Sequence, residues 1–216
     1  MPRLVFEKTG DSVWISHLDL MRVFQRAFRR AGLLLKHSQG FTPRAIVSIA
    51  LPLSVGTESQ CELLDYELEQ EAAVTPEMLN EKLPDGIRVL EIVEQGRKIK
   101  ELTTLRAQVH LYYDKGASQQ LVDALTAFFE RDTIVMKKHS RKGETETDLR
   151  PMLLEKHLHL AGETCVEMEV LVCAQNPSLN PQLLVNALEV YAPELSPDHS
   201  TVRRLEVYDA SGTVFR

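Results

Sequence analysis

The sequence predicts an α+β protein whose two halves repeat one order of strands and helices. Segments of alternating apolar and polar residues, typical of half-buried strands, are interleaved with segments whose apolar residues recur every three or four positions, typical of amphipathic helices. Pro, Gly, Asp and Ser cluster between these segments, as they do in turns. The same order of segments occurs twice with an offset of about 100 residues, which indicates an internal structural repeat.

The first half begins with a strand that has Leu4 and Phe6 on one face, and a helix follows. Ser16, with Asp19 three residues later, resembles a capping box and marks the start of this helix. Gly32 marks its end. The predicted elements of this half are strand 3–8, helix 16–32, an apolar run 33–35, a loop 37–43, strands 44–51 and 61–69, a helix from 75, and strand 87–93.

The second half follows the same order with longer loops. Its first strand alternates from Leu105 to Tyr113, and the next helix has Leu121, Leu125 and Phe128 on one face. The polar segment between Lys137 and Asp148 is predicted to be a loop. The predicted elements are strand 105–113, helix 117–131, an apolar run 133–136, a loop 137–148, a hairpin of strands 152–160 and 163–173, helix 181–191, and strand 202–208.

Strand, helix, strand, strand, helix, strand is the order of the ferredoxin-like, or split βαβ, arrangement. We therefore expect two tandem ferredoxin-like halves related by a pseudo-repeat, with antiparallel sheets and the helices on one face. The sequence Lys36-His37-Ser38 in the first half matches Lys138-His139-Ser140 in the second, after equivalent elements. The polar stretch from Gln95 to Glu101 separates the halves, so the predicted domains are residues 1–96 and 97–216.

Composition describes a globular protein of 216 residues with a net charge of −6 and 44% apolar residues. No apolar run approaches the roughly 20 residues that a membrane-spanning helix needs, and no apolar stretch like that of a signal peptide is present, so we expect a cytoplasmic protein with no membrane partner. Cys61, Cys165 and Cys173 are too far apart for a disulfide framework or a CxxC-type metal or iron–sulfur site. We expect no cofactor.

Positive charge is concentrated near the N-terminus despite the negative total. Residues 1–45 hold eight basic and three acidic residues. The first helix places Arg22, Arg26 and Arg29 on one stripe, with Arg30 beside it, and we call these four residues the arginine stripe. Guanidinium groups suit bidentate phosphate contacts, so the stripe predicts a nucleic-acid or other anion site. The alternative is a solvated helix face paired with acidic residues from elsewhere in the chain.

Two further basic clusters extend this prediction. The segment after the first helix carries Lys36, His37, Ser38 and Arg44, and Phe41 within it is either a stacking platform for a base or an anchor for the loop. The polar loop of the second half carries the second cluster, which consists of Lys137, Lys138, His139, Arg141 and Lys142. The full set of predicted RNA- or anion-binding residues is Arg22, Arg26, Arg29, Arg30, Lys36, His37, Ser38, Arg44, Lys137, Lys138, His139, Arg141, Lys142 and Arg150.

The sequence contains no motif that assigns catalysis, since it has no Walker loop, GxSxG or HExxH. His17 and His37 are the candidates for a general base, although His17 and Asp19 point apart on a helix. His157 and His159 share one strand face, and His110 is able to face the same way, but the sequence identifies no supporting carboxylate for a metal. We therefore predict no metal site, and we expect that the protein is not itself an enzyme.

The sequence contains several distinctive short motifs, among them Lys8-Thr9-Gly10-Asp11, Ser38-Gln39-Gly40-Phe41 and Asp148-Leu149-Arg150-Pro151. Together they resemble the radical-SAM-linked domain of unknown function that many bacteria encode. The resemblance is specific over residues 4–69, and Asp148-Leu149-Arg150-Pro151 resembles the family's Asp-(Ile/Leu)-Arg-Pro element. The family's Gly-Phe-Asn-Pro-His-Pro reads Gly40-Phe41-Thr42-Pro43-Arg44-Ala45 here, so its histidine is missing. The motifs in the first half are Lys8-Thr9-Gly10-Asp11, Ile15 to Arg22, Arg29 to Leu33, Ser38 to Phe41, Ala50 to Leu53, and Gly56, Glu58 and Ser59.

The resemblance implies a partner, because in that family the domain is fused to a radical-SAM enzyme or encoded near one. This chain lacks the CxxxCxxC cluster motif and is similar to the stand-alone form. We therefore expect an accessory protein that binds tRNA or rRNA or presents it to a radical-SAM enzyme encoded nearby. The alternatives are an RNA-processing or RNA-modifying enzyme in its own right and a protein-interaction module.

Overall fold

The computed structural model describes the backbone of residues 1–140 and 143–216, with the side chains of residues 138–145 left out, and it shows a mixed α+β fold. Every pair of strands in the described registers is antiparallel. The helices are α1 His17–Arg30, α2 Pro76–Asn80, α3 Gln119–Phe129 and α4 Gln182–Tyr191. The strands are β1 Arg3–Lys8, β2 Val47–Ile49, β3 Glu58–Tyr66, β4 Ile87–Val93, β5 Leu102–Tyr112, β6 Val135–Ser140, β7 Gly143–Asp148, β8 Leu153–Leu160, β9 Cys165–Cys173 and β10 His199–Asp209.

The chain divides into two compact units. The first comprises Met1–Glu101 and Val214–Arg216, and the second comprises Leu102–Thr213. Strands of the first unit lie in the order β4-β1-β3-β2, and strands of the second lie in the order β10-β5-β9-β8. Strands β6 and β7 form a separate two-stranded ribbon and are not counted here. In each unit the fourth of the remaining strands lies beside the first, and the third lies between the first and the second. The last three residues return to the first unit after the second is complete.

Helix α1 packs its apolar side on the sheet of the first unit. Phe24 lies edge-on to Phe6 of β1, with ring centroids 4.7 Å apart, and Phe28 lies 4.9 Å from Tyr66 of β3. Leu20, Phe24, Ala27 and Phe28 are buried, as the spacing of apolar residues predicts. Because this side of the helix is occupied by the core, the polar side is left to solvent.

The start of α1 confirms the predicted cap with one difference in geometry. Ser16 Oγ accepts a hydrogen bond from the backbone N–H of Asp19 at 3.3 Å, as a capping serine does. In a capping box the carboxylate reaches back to the backbone N–H of the cap residue. Here Asp19 instead accepts a hydrogen bond from the Ser16 hydroxyl at 2.7 Å, since aspartate is one methylene shorter than the usual glutamate.

The segment predicted to be a polar loop between Lys137 and Asp148 forms strands, so this prediction is wrong. Strands β6 and β7 pair antiparallel, with Lys137 opposite Glu146 and Met136 opposite Thr147. Opposite charges directly across an antiparallel pair stabilise it. Lys137 and Lys138 therefore belong to a two-stranded ribbon, whereas Arg141 and Lys142 lie outside the described residues.

Alternation in β5 matches the prediction for the second unit. Leu105, Ala107, Val109 and Leu111 are buried, while the residues between them are half-buried. Helices α3 and α4 contribute buried residues of their own, among them Leu125, Phe128 and Leu188. Within the described residues, none of the helices combines the length and the apolar character needed to cross a membrane.

Candidate nucleic-acid interface

All four side chains of the arginine stripe are exposed on the side of α1 that faces away from the sheet. Arg22 forms an ion pair with Asp19 at 2.8 Å, and both side chains are more than half exposed. In the part of the chain that the structure describes, Arg29 and Arg30 form no ion pair with a carboxylate. Most of the positive charge of the stripe is therefore available to an external anion.

Asp19 is the acidic group closest to the stripe in the chain. Its hydrogen bond from Ser16, and next the one from Arg22, lower the pKa of its carboxyl below the ordinary value. The carboxylate is therefore charged at neutral pH and is already engaged by two donors. It neutralises the first arginine and leaves the rest of the stripe positive.

The segment that follows α1 closes into a tight loop with Phe41 near its tip. Ser38 N–H donates to the carbonyl of Arg44 at 2.8 Å, and Arg44 N–H donates to Ser38 Oγ at 3.1 Å. The Phe41 side chain is fully exposed, so it does not anchor the loop to the core. The loop presents one aromatic ring together with exposed His37 and Arg44.

The other predicted anion-binding residues of this segment have different surroundings. Lys36 is exposed but pairs with Glu67 at 3.0 Å. Ser38 uses its hydroxyl to hold the loop backbone. The hydrogen bond from Ile46 N–H to the carbonyl of Lys36, at 2.7 Å, closes the base of the loop and shortens the predicted strand 44–51 to β2.

The basic cluster of the second unit is only partly described. Lys137 is exposed on β6. Arg141 and Lys142 lie outside the described residues, and so do the side chains of Lys138 and His139. Arg150 is half-buried and donates from Nη1 to the carbonyl of Leu153 at 2.9 Å, so its guanidinium holds a turn of the backbone.

The two histidines considered for catalysis lack an acid–base partner in the described residues. His17 is half-buried at the first position of α1, and the neighbouring Asp19 is bound to Ser16 and Arg22 instead. His37 is exposed in the loop after α1. The geometry of these residues does not form a proton-transfer pair.

Two of the three histidines considered as metal ligands do meet one carboxylate on the sheet of the second unit. His110 Nε2 lies 3.1 Å from Glu167 Oε2, and His159 Nε2 lies 3.9 Å from Glu167 Oε1. His157 lies one cross-strand row away, opposite Glu169. Among the described residues, no group of three or more His, Cys, Asp or Glu side chains has an arrangement that would hold a metal ion.

One concave surface of the first unit is acidic and does not suit an anion. Glu67, Glu71 and Glu94 line it together with Pro2 and Tyr66. Phosphate would be repelled by these carboxylates. The arginine stripe is therefore a better anion site than this cleft.

Sequence reasoning missed the most exposed aromatic ring that precedes the stripe. Trp14 ends a 3-10 helix, Gly10–Trp14, and is 70% exposed, while Leu18 in the first turn of α1 is 69% exposed. The run Val13-Trp14-Ile15 gives no sign of this exposure, because large apolar residues in an apolar run are usually buried.

Comparison with solved structures finds similarity in fold at low sequence identity. A chain in the crystal structure of a Cbf5-Nop10-Gar1 complex aligns with 95% of this chain at a TM-score of 0.55 and 10% identity. This chain spans about half of that one, 48%. A structure of an unknown protein from Galdieria sulphuraria aligns with 97% of this chain and 98% of its own at 14% identity, with a TM-score of only 0.26.

Comparison by sequence finds a family. A family model described as "Uncharacterized protein conserved in bacteria (DUF2344)" matches residues 2–181, which is most of the chain. The match covers the arginine stripe, the loop with Phe41 and the ribbon of β6 and β7. The search of curated proteins finds no match.

Proposed function

Because the chain belongs to this family of uncharacterized bacterial proteins, we propose a function from its surface chemistry: it binds RNA through the arginine stripe and presents it to a partner enzyme. The observation that carries the proposal is the exposure of four arginines on one helix face, of which Arg22 alone forms an ion pair within the described part of the chain. Four like charges within 14 helical residues repel one another in the absence of a ligand.

The chemistry of the stripe favours phosphate over a single small anion. A helix rises about 1.5 Å per residue, so Arg22 and Arg29 are roughly 10 Å apart along the axis. A stacked nucleic-acid strand advances about 3.4 Å per nucleotide, so this length matches about three nucleotides. A row of guanidinium groups of this length supports contacts to successive phosphates, and such contacts carry affinity without sequence information.

The partner that we propose is a radical-SAM enzyme. The support is the resemblance of residues 4–69 and 148–151 to the radical-SAM-linked domain. Cys61, Cys165 and Cys173 do not form the three-cysteine cluster motif, so under this proposal the partner supplies the iron–sulfur cluster. We also propose that both units are ferredoxin-like, which the shared strand order supports.

The proposal is tested by charge reversal with a matched control. The double variant Arg26→Glu and Arg29→Glu should lose retention of RNA in a filter-binding assay, because it replaces two phosphate contacts with repulsion. The control Arg88→Glu with Lys115→Glu makes the same change in net charge at exposed positions that are not part of the stripe and should bind as the wild type does. Both variants should melt within a few degrees of the wild type, since all four side chains are exposed.

Salt dependence gives a second readout of the same contacts. For single strands the logarithm of the binding constant falls with the logarithm of salt concentration by about 0.7 for each phosphate contact. The neutral double variant Arg26→Gln and Arg29→Gln should therefore reduce the slope by about 1.4. Normal affinity and an unchanged slope in the stripe variants would exclude the stripe as the RNA site.

A further inference from the structure

We propose that Trp14 is a stacking platform for an unpaired base of the RNA that the arginine stripe binds, so that the ligand is RNA with a single-stranded segment. This inference rests on the proposed function and adds a recognition site to it. Trp14 is 70% exposed, whereas a ring of this size is usually buried in a folded protein. An exposed indole beside a basic stripe is the combination that single-stranded nucleic-acid sites use.

The backbone on both sides of Trp14 is held in place from inside the unit. The ammonium group of Lys8, which is buried, donates to the carbonyl of Val13 at 3.1 Å and to the carbonyl of Ile15 at 2.7 Å. Ser12 of the same 3-10 helix has its donor Oγ 2.8 Å from Thr9 O, just before the helix, and 2.8 Å from Gly86 O, in the turn before β4. The exposed ring therefore projects from a fixed backbone, which reduces the entropy lost when a ligand binds.

The indole is also supported by the loop that contains Gly56. Gly56 N–H donates to the carbonyl of Val13 at 3.0 Å, which brings the loop to the 3-10 helix. A Cβ atom on Gly56 would lie 3.5 Å from Cζ3 and 3.8 Å from Cη2 of Trp14, so the backbone of this glycine lies against the six-membered ring. The support covers a small part of the ring, and most of its surface remains open to a ligand.

The ring is close enough to the stripe to serve the same RNA strand. Two extended residues connect Trp14 to the cap at Ser16, and six helical residues connect Ser16 to Arg22, so the two Cα atoms are separated by at most about 20 Å. A few nucleotides span this distance. Two exposed residues lie between these positions in the sequence: Leu18, which is uncharged, and Asp19, whose carboxylate is already paired with Arg22 at 2.8 Å.

The combination of a positive stripe and an exposed indole favours RNA over a protein as the ligand of this site. Stacking on an indole tolerates any base, and its strength adds to that of the phosphate contacts on the neighbouring helix. A protein partner would need an acidic surface for the stripe and an apolar pocket for the indole in one arrangement. RNA supplies a negative backbone and flat rings at regular intervals in every sequence.

Trp14 is the only tryptophan of the chain, so its fluorescence reports directly on this site. Titration with a single-stranded oligouridine and with a blunt-ended RNA duplex of similar length compares the two RNA forms. We expect the single strand to quench the fluorescence and the duplex to leave it nearly unchanged. Trp14→Ala should weaken binding of the single strand by about 5- to 150-fold, the range expected for loss of one stacked base.

Controls separate stacking from charge and from folding. Trp14→Ala should retain the wild-type salt slope, since no phosphate contact is removed, and Trp14→Phe should recover part of the affinity. Val190→Ala removes an exposed apolar side chain in the second unit and should bind normally. A thermal melt close to that of the wild type shows that the variants are folded.

The outcomes distinguish this inference from the proposed function. If the wild type binds RNA but Trp14→Ala binds it equally well and no quenching occurs, the stacking platform is wrong and the arginine stripe stands. If the wild type binds neither RNA, the proposed function fails and the platform fails with it. If Trp14→Ala keeps its RNA affinity but loses a partner protein from nuclease-treated extract, the ring docks protein and its assignment to RNA is wrong.

Discussion

Arg3 and Lys8 are basic residues of the first strand, and both are almost fully buried. The guanidinium of Arg3 makes a bidentate ion pair with Asp65, with bonds of 2.6 and 2.9 Å, and lies over the ring of Phe215. Burial lowers the pKa of Lys8, and the charge of Glu62 opposes this shift. These two residues account for a quarter of the basic residues between positions 1 and 45, but neither is available to an external anion.

The buried hydroxyl of Tyr113 makes the stability of the folded protein depend on pH. Its OH donates to the carbonyl of Leu195 at 3.0 Å, and burial, followed by the charge of Asp198, raises the pKa of the phenol above its ordinary value. A raised pKa means that the folded state keeps the proton after the unfolded chain has lost it. The stabilising contribution is therefore complete below pH of about 10 and is lost as the pH rises further.

We expect Tyr113→Phe to remove this alkaline loss. Above pH of about 10, the free energy of unfolding of the wild type should fall by up to about 1.4 kcal/mol per pH unit from this group, and the variant should fall less steeply. At pH 7 the variant should be less stable by about 1 kcal/mol, because the hydrogen bond to Leu195 is lost. Urea unfolding at a series of pH values measures both effects, and parallel curves would contradict the assignment.

At the scale of elements, the turn before β4 depends on a close approach of two backbones. Gly86 has a φ of +80° and accepts a hydrogen bond from Thr9 N–H at 2.8 Å. A Cβ atom there would lie 2.3 Å from the carbonyl oxygen of Thr9. The turn therefore requires glycine both for its left-handed conformation and for space.

Gly212 separates these two requirements, because it has a similar φ of +77° but open space around its Cβ position. Gly212→Ala should destabilise the protein by about 1 to 2 kcal/mol, the cost of the left-handed conformation alone. Gly86→Ala should cost clearly more, because the Thr9 carbonyl must also move. Equal losses in urea unfolding would show that the close approach at Gly86 relaxes without cost.

Helix α1 shows what the sequence can predict and the ribbon of β6 and β7 shows what it cannot. The helix has a periodic apolar face and a capping serine, so its position, its buried side and its arginine stripe follow from the sequence. The sequences of β6 and β7 do not alternate between apolar and polar residues, so hydrophobic periodicity does not reveal these strands. Its pairing depends on residues that lie across from each other, such as Lys137 and Glu146.

The candidate site was predictable only in part for a similar reason. Exposed charges on a periodic helix can be assigned from spacing, and the structure places Arg22, Arg26, Arg29 and Arg30 as the spacing predicts. Trp14 is exposed at the end of a 3-10 helix, where Lys8 binds the backbone on both sides of it and Gly56 lies against its ring. The spacing of apolar residues does not reveal these contacts. Arg150 illustrates the opposite case, in which a predicted surface charge binds the protein's own backbone.

At the scale of the whole molecule, the two units differ in how the chain completes them. The second unit is continuous, whereas the first contains residues from both ends of the chain. Phe215 is fully buried in the first unit and lies between the guanidinium groups of Arg3 and Arg97, each about 5.1 Å from its ring centre. The N–H of Arg97 donates to the carbonyl of Arg216 at 3.0 Å.

We expect Phe215→Ala to destabilise the first unit by about 3 to 5 kcal/mol, as for other buried phenylalanines. Because Trp14 lies in the first unit, the urea transition followed by its fluorescence should shift to lower urea concentration. Val214→Ala changes the exposed neighbour of Phe215 and should leave the transition in place. A normal transition in Phe215→Ala would mean that the tail contributes little to the unit.

The return of the tail also has a consequence for synthesis on the ribosome. Translation produces residues 1–101 of the first unit before the second unit, yet the ring that covers Arg3 and Arg97 is made only after the second unit. A nascent chain that has only its first 101 residues exposes these two guanidinium groups where Phe215 will later lie. The unit that carries the arginine stripe is therefore begun before the second unit and completed after it.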